Sequence, residues 1–166
     1  LYALLLGSRK IGLSEERLFI AGLLHDLGSL LMLSNMPKDY LQAIFVSKQE
    51  NIPMFKAEQE VLGFDHSQVS SLLCKEWRMP LVLVQAIHGH HQPQKVENAL
   101  EPSIVHLANI MAMTIGDAST GSKLVPVLSD KAWKTIDLSP SVFSLIAQQA
   151  EKQFSEIKSV FFGKVS

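Results

Sequence analysis

Apolar residues recur at helical spacing through most of the chain. Between Ser14 and Leu33, the residues Ile20, Leu23, Leu24, Leu27, Leu30 and Leu31 form one stripe, and this spacing predicts a single long helix whose leucine side is core. Ser14 is placed to cap it, and Glu15 and Glu16 fall in the first turn, where carboxylates meet the positive end of the helix dipole. Pro37 opens a second helix carrying Tyr40, Leu41, Ile44 and Phe45, and Pro53 precedes a short amphipathic stretch ending at Gly63. Asp65 can cap a helix with Val69, Leu72, Leu73 and Trp77, and Pro80 restarts the chain into Leu81, Val84 and Ile87. Gln92 to Glu101 reads as a loop before a helix with Ile104, Leu107, Ile110 and Met111 on its buried side. The pattern dissolves between Gly116 and Asp130, where a mobile connection is expected. Ser139 and Pro140 then start a last helix through Val142, Phe143, Ile146, Ala150 and Phe154. No stretch sustains period-two alternation, so the predicted fold class is all-α, a compact multi-helix bundle.

Length and composition fit one folded domain over residues 1–166: 47% of residues are hydrophobic and 19% charged, unlike a disordered chain. The first residue is Leu1, which suggests a piece of a longer protein with the N-terminal part of the domain missing. Fifteen basic against 16 acidic residues leave no field to recruit nucleic acid or an anionic membrane. His25, Asp26 and Gly28 break the longest apolar stretch, so no membrane span is expected. The single cysteine, Cys74, suits a small core side chain in a reducing cytosol. Met32, Met36, Met111 and Met113 read as adaptable core filling, and Trp77 and Trp133 as core anchors. Lys75 and Arg78 read as a solvated face, as do Gln148, Gln149, Glu151, Lys152 and Glu156 of the last helix, so no dimer seam stands out.

The six histidines all lie between positions 25 and 106. His25 and Asp26 fall on the side of the first long helix opposite the leucines, among the small residues Ala21, Gly22, Gly28 and Ser29, which permit close approach by a helix or a ligand. An imidazole beside a carboxylate suits manganese, iron, magnesium or zinc, although such a pair can equally satisfy itself by local hydrogen bonding. His66 begins a helix next to Asp65, where supporting a cap competes with ligation. His88, His90 and His91 cluster at a helix C-terminus, and neighbours 100° apart on a helix would offer a metal only one of the adjacent pair.

The string Ala21-Gly22-Leu23-Leu24-His25-Asp26-Leu27-Gly28 resembles the signature of the HD phosphohydrolase superfamily. Glu60 through His66, Trp77, Pro80, Ala86-Ile87, His90-His91 with Pro93, and Val105 through Asn109 resemble the HDOD (HD-related output domain) family in order and spacing, from Gly12 to Ile115. The resemblance implies an all-helical bacterial signalling domain, often fused to receiver or cyclic-dinucleotide-related domains. Carried over from catalytic HD relatives, the metal positions are His25, Asp26, His66, His90 and His91. The catalytic pattern departs here in three ways. The chain begins too late to show the pattern's leading histidine, one helix ahead of the pair, and Asn109 stands where an aspartate is expected. Ser29 replaces the usual lysine, and Gln92-Pro93 follows His90-His91 with no Gly-Tyr-Pro motif.

The resulting expectation is a cytoplasmic, non-catalytic signalling module acting through protein partners, with a vestigial site for iron, manganese, zinc or magnesium. The alternative is a divalent-metal phosphohydrolase acting on a phosphomonoester or nucleotide, with Asn109 contributing its carbonyl oxygen. A third reading is a ligand sensor that keeps the ancestral pocket without turnover. All three require His25, Asp26, His66 and His90 to converge.

Overall fold

The structure is a computed structural model that describes residues 1–7, 12–115 and 125–163. Every regular element among the described residues is helical. In chain order these are α1 (Tyr2–Gly7), α2 (Glu15–Leu24), α3 (Leu27–Asn35), α4 (Pro37–Glu50), α5 (Met54–Leu62), α6 (His66–Glu76) and α7 (Leu81–His88). A 3-10 turn (Pro93–Lys95), α8 (Leu100–Ile115), α9 (Asp130–Ile136) and α10 (Ser141–Phe162) follow.

Helix ends fall where side-chain chemistry puts them. Ser14 Oγ accepts from the Arg17 backbone N–H at 3.2 Å. Asp65 and Gln68 form a reciprocal capping box at the start of α6, and Pro37 occupies the first turn of α4. Gly63 ends α5 with φ of 81°, a left-handed conformation that costs glycine nothing.

The central helix is α8, which packs on α1, α2, α7 and α9. Ile104, Leu107 and Met111 join Leu5, Leu6, Leu18, Ile136 and Ile146 in one apolar core. Val105, from the same helix, joins Ala21, Cys74, Leu83, Val84 and Ile87 in a second. Cys74 is a buried free thiol, as its setting suggested.

Four expectations are corrected. The predicted helix from Ser14 to Leu33 is two helices, interrupted at His25 and Asp26. Its leucine stripe lies mostly outside the core: Leu23 is 68% exposed and Leu30 60%, with Leu24 partly buried against the second core, whereas Leu18, Ala21, Gly28 and Met32 are buried. Ala21 and Gly28 hold interior positions because they let backbones approach closely, and hydrophobicity alone does not reveal that preference. Trp77, expected in the core, caps the C-terminus of α6 and is 53% exposed. Helix α9 was not foreseen: it is short and polar, yet Ser129 caps it at 3.3 Å from the Ala132 N–H, and Trp133 docks on Phe143 with ring centroids 5.0 Å apart. Most of the connection expected between Gly116 and Asp130 lies outside the described residues, as do the side chains of Phe161 and Phe162.

By length and composition, the 21 residues Glu15–Asn35 would suffice to cross a membrane. The break at His25 and Asp26 sits near the middle of that segment, where a charged side chain opposes insertion, and the α3 end packs on α6.

Candidate metal centre

The break between α2 and α3 is fastened to α6 by one side chain. Ser70 Oγ accepts from the Gly28 N–H at 2.7 Å and donates to the His25 carbonyl at 2.8 Å, so it satisfies the backbone groups that the break exposes. A Cβ on Gly28 would collide with the His66 carbonyl, so only glycine permits this approach. The start of α3 therefore lies against the start of α6, and the His25-Asp26 pair faces His66. Beyond α7 the chain turns, with the Gln92 N–H bonded to the Gly89 carbonyl at 3.0 Å. His90 and His91 thus leave helical geometry, and their ring centroids are 3.9 Å apart. The expectation that only one of them could serve a metal is overturned, since it assumed a continuing helix.

Asp26 lies at the centre. Its Oδ2 is 3.1 Å from His25 Nε2, and its Oδ1 is 3.3 Å from His66 Nε2 and 3.7 Å from His90 Nε2. His91 Nε2 lies 2.7 Å from His66 Nε2. The outer nitrogens fix the tautomers, because carbonyls and carboxylates only accept. His25 Nδ1–H donates to the Gly22 carbonyl at 3.0 Å, and His90 Nδ1–H donates to the Ile87 carbonyl at 2.7 Å. His66 Nδ1–H donates to Glu58 Oε2 at 2.6 Å. Each anchored ring turns its Nε2 inward, the arrangement that orients histidines for a metal.

Two nitrogens 2.7 Å apart need a proton between them, and His66 supplies it. Burial opposes charge on His66, but the Asp26 and Glu58 carboxylates outweigh it and raise its pKa to about 10. Burial also opposes ionisation of Asp26, whose carboxyl is nonetheless held well below the usual range by the His25 and His66 imidazoles. Burial and the neighbouring imidazoles lower His90 to about 3 and push His91 well below its ordinary value. The His66 proton thus settles the contact with His91. It leaves His90 Nε2 buried without a hydrogen-bond partner and its lone pair turned toward a carboxylate, beside the buried His25 Nε2 at 3.1 Å from Asp26 Oδ2. A cation suits this set of donors. Two overlapping sets have their ligand atoms within 4.8 Å of one another, His25 with Asp26 and His90, and His66 with His90 and His91.

The sequence profile of the HDOD domain family matches residues 1–93, more than half of the chain and all five of these positions. The chain belongs to the HDOD domain family. The 93-residue match ends before Asn109, so the part of the resemblance carried by Val105 through Asn109 lies outside it. A crystal structure of an HDOD domain protein of unknown function from Geobacter sulfurreducens is similar, with a TM-score of 0.69 at 23% identity over 95% of this chain and 60% of that one. A Shewanella amazonensis SB2B protein, provisionally named a phosphohydrolase, gives a TM-score of 0.68 at 19% identity over 91% of this chain and 55% of that one. At these identities the likeness concerns the fold. An uncharacterized protein of Treponema pallidum (strain Nichols) is 26% identical over 110 residues, 65% of this chain, and the chain spans only 21% of that relative.

Sequence reasoning missed the side chains that hold the histidines of this HDOD site. Glu58, fully buried, accepts from both the ring and the backbone N–H of His66, the latter at 2.9 Å. Its signal was available: a carboxylate three residues after Phe55, on the same face of α5. His106 is buried too and holds the turn, donating from Nδ1 to the His90 carbonyl at 2.8 Å and accepting from the Ser129 N–H at 3.3 Å. Phe55 stacks on His91 with centroids 4.4 Å apart. A cavity of about 770 Å³ opens beside the cluster, and Asp26, His66, His91 and Asn109 share its wall.

Proposed function

We propose that residues 1–166 form one regulatory HDOD module that holds a divalent metal through His25, Asp26, His66, His90 and His91 and acts through protein partners rather than by turnover. The observation that carries the metal reading is the buried His90 Nε2, without a hydrogen-bond partner, converging with His25 Nε2 on the Asp26 carboxylate. Four imidazoles and one carboxylate make a nitrogen-rich donor set, which favours zinc, iron or manganese over magnesium. The scarcity of anionic ligands supports a regulatory role. Asp26 is the one carboxylate in the two ligand sets, Glu58 is committed to His66, and Asn109 brings a neutral amide to the cavity wall. The two cores joined by α8 support a single module. The bacterial origin of the similar proteins and the buried thiol of Cys74 support a bacterial, cytoplasmic setting.

A second reading, a metal-dependent phosphohydrolase acting on a phosphomonoester or nucleotide, is favoured by one feature: Asp26, 39% exposed, lies on the wall of a cavity large enough for a substrate. A bound divalent ion would there supply Lewis acidity toward a phosphoryl oxygen.

Elemental analysis of the purified protein for iron, manganese and zinc, paired with a p-nitrophenyl phosphate assay, decides between them. Near-stoichiometric metal without turnover is the expected result. Turnover abolished by His25→Ala would establish the hydrolase, and protein that retains no added metal would overturn the metal reading.

A further inference from the structure

We propose that the cavity beside the histidine cluster binds a small amphiphile: an unbranched apolar chain carrying one carboxylate. Its volume, about 770 Å³, falls within the range of small-molecule sites. Most of its wall is hydrocarbon. Leu30 and Leu33 from α3, Leu41 and Ile44 from α4, Met54, and Met113 from α8 contribute to it. Leu30 and Leu41 are more than half exposed, so their apolar surface faces the opening instead of a neighbouring helix. Methionines at two places on the wall suit a chain whose shape varies.

Charge fixes the head group. Lys48 is the one cationic lysine or arginine on the wall, and it has no ion-pair partner among the described residues. A phosphomonoester or nucleotide carries at least two charges at neutral pH and is ordinarily met by several cationic groups or by arginine forks. One lysine matches one carboxylate. At the cluster end, the Asp26 carboxylate repels an anion, which sends the head to Lys48. Tyr40, Ile44 and Lys48 follow one another at four-residue spacing on α4, so the line from Tyr40 to Lys48 runs roughly 12 Å along that helix. An alkyl chain paired at Lys48 lies along Ile44 and reaches the leucines of α3. That repulsion holds in the chelator-treated protein; a divalent ion held by Asp26 would offset it, so the Lys48 assignment is read on chelator-treated samples.

The test is calorimetric titration of the purified protein, chelator-treated and zinc-loaded, with octanoate, decanoate and dodecanoate below their micellar concentrations. Each buried methylene is worth about 0.8 kcal/mol, so affinity should rise about fourfold per carbon until the cavity is filled. Lys48→Met should weaken decanoate about tenfold and leave decanol unchanged. Ile44→Trp, with helicity checked by circular dichroism, should abolish binding of both by filling the cavity. Affinity independent of chain length, AMP binding tighter than decanoate, or an Ile44→Trp protein that is folded and binds decanoate as before would each overturn the proposal. Metal content measured on the same samples separates its failure from a failure of the metal reading.

Discussion

The core around α1, α8 and α10 and the seam joining α3, α5 and α6 are both buried, yet they share almost no chemistry. In the core, Leu5, Leu6, Leu18, Ile104, Leu107 and Ile146 meet one another as hydrocarbon. In the seam, Glu58, His66, Ser70 and His90 are as deeply buried, and Gly28 replaces a side chain with an approach of backbones. Core contacts are set by volume and tolerate another residue of similar size. Seam contacts are directional, and a buried polar group that loses its partner keeps its desolvation cost. A seam that excludes hydrocarbon where hydrocarbon would be more stable is spending residues on a site.

That contrast breaks or holds under substitution. Ile104→Ala should destabilise the protein most, by about 2–5 kcal/mol, through a cavity the core cannot close, while metal stoichiometry stays unchanged. Gly28→Ala should cost less, about 1–3 kcal/mol by overpacking against the His66 carbonyl, yet it should reduce metal retention because α3 must move off α6. Thermal melts with elemental analysis on the same samples check both. If Ile104→Ala lost metal as readily as Gly28→Ala, the two interiors would be one cooperative unit and the comparison would fail. Ser70→Ala sharpens it further. Losing a hydroxyl that serves both the Gly28 N–H and the His25 carbonyl should cost about 1–2 kcal/mol, and metal affinity should fall while the apolar core is untouched.

The same contrast explains what the sequence made legible. Helix ends were readable wherever a local rule governs them: Ser14, Pro37, Gly63, Asp65 and Pro80 mark boundaries through caps and fixed dihedrals within a few residues. The convergence of His25, Asp26, His66 and His90 followed from the HDOD resemblance, and the structure brings all four together with His91. What periodicity could not supply was the choice between the leucine side and the glycine side of α3, because Gly28 is buried only by virtue of where α6 lies. Nor could it supply the partnership of Glu58 with His66, or the turn after His88 that aims both His90 and His91 inward. Each of these depends on where another element lies or on a turn outside the helices, and apolar periodicity does not encode it.

The most local effect tests the seam at its most specific point. In the metal-free chain His66 holds a proton with a pKa of about 10. Burial opposes that proton, and the Asp26 and Glu58 carboxylates retain it. A metal that takes His66 Nε2 must displace it, so below that pKa each unit of pH makes the competition about tenfold easier for the metal. His90 and His91, whose pKa values are lowered, are already neutral near pH 7 and add no slope there. Zinc affinity measured against a competing chelator should therefore rise about tenfold per unit from pH 7 to 9. In Glu58→Gln one of the two raising carboxylates is gone, so the rise should flatten in that window, while affinity at the alkaline end drops about 10- to 100-fold through loss of ring orientation. A flattened slope with unchanged alkaline affinity would reduce Glu58 to an electrostatic neighbour. A drop with the slope intact would leave orientation as its whole contribution and place the His66 proton under the control of Asp26 alone.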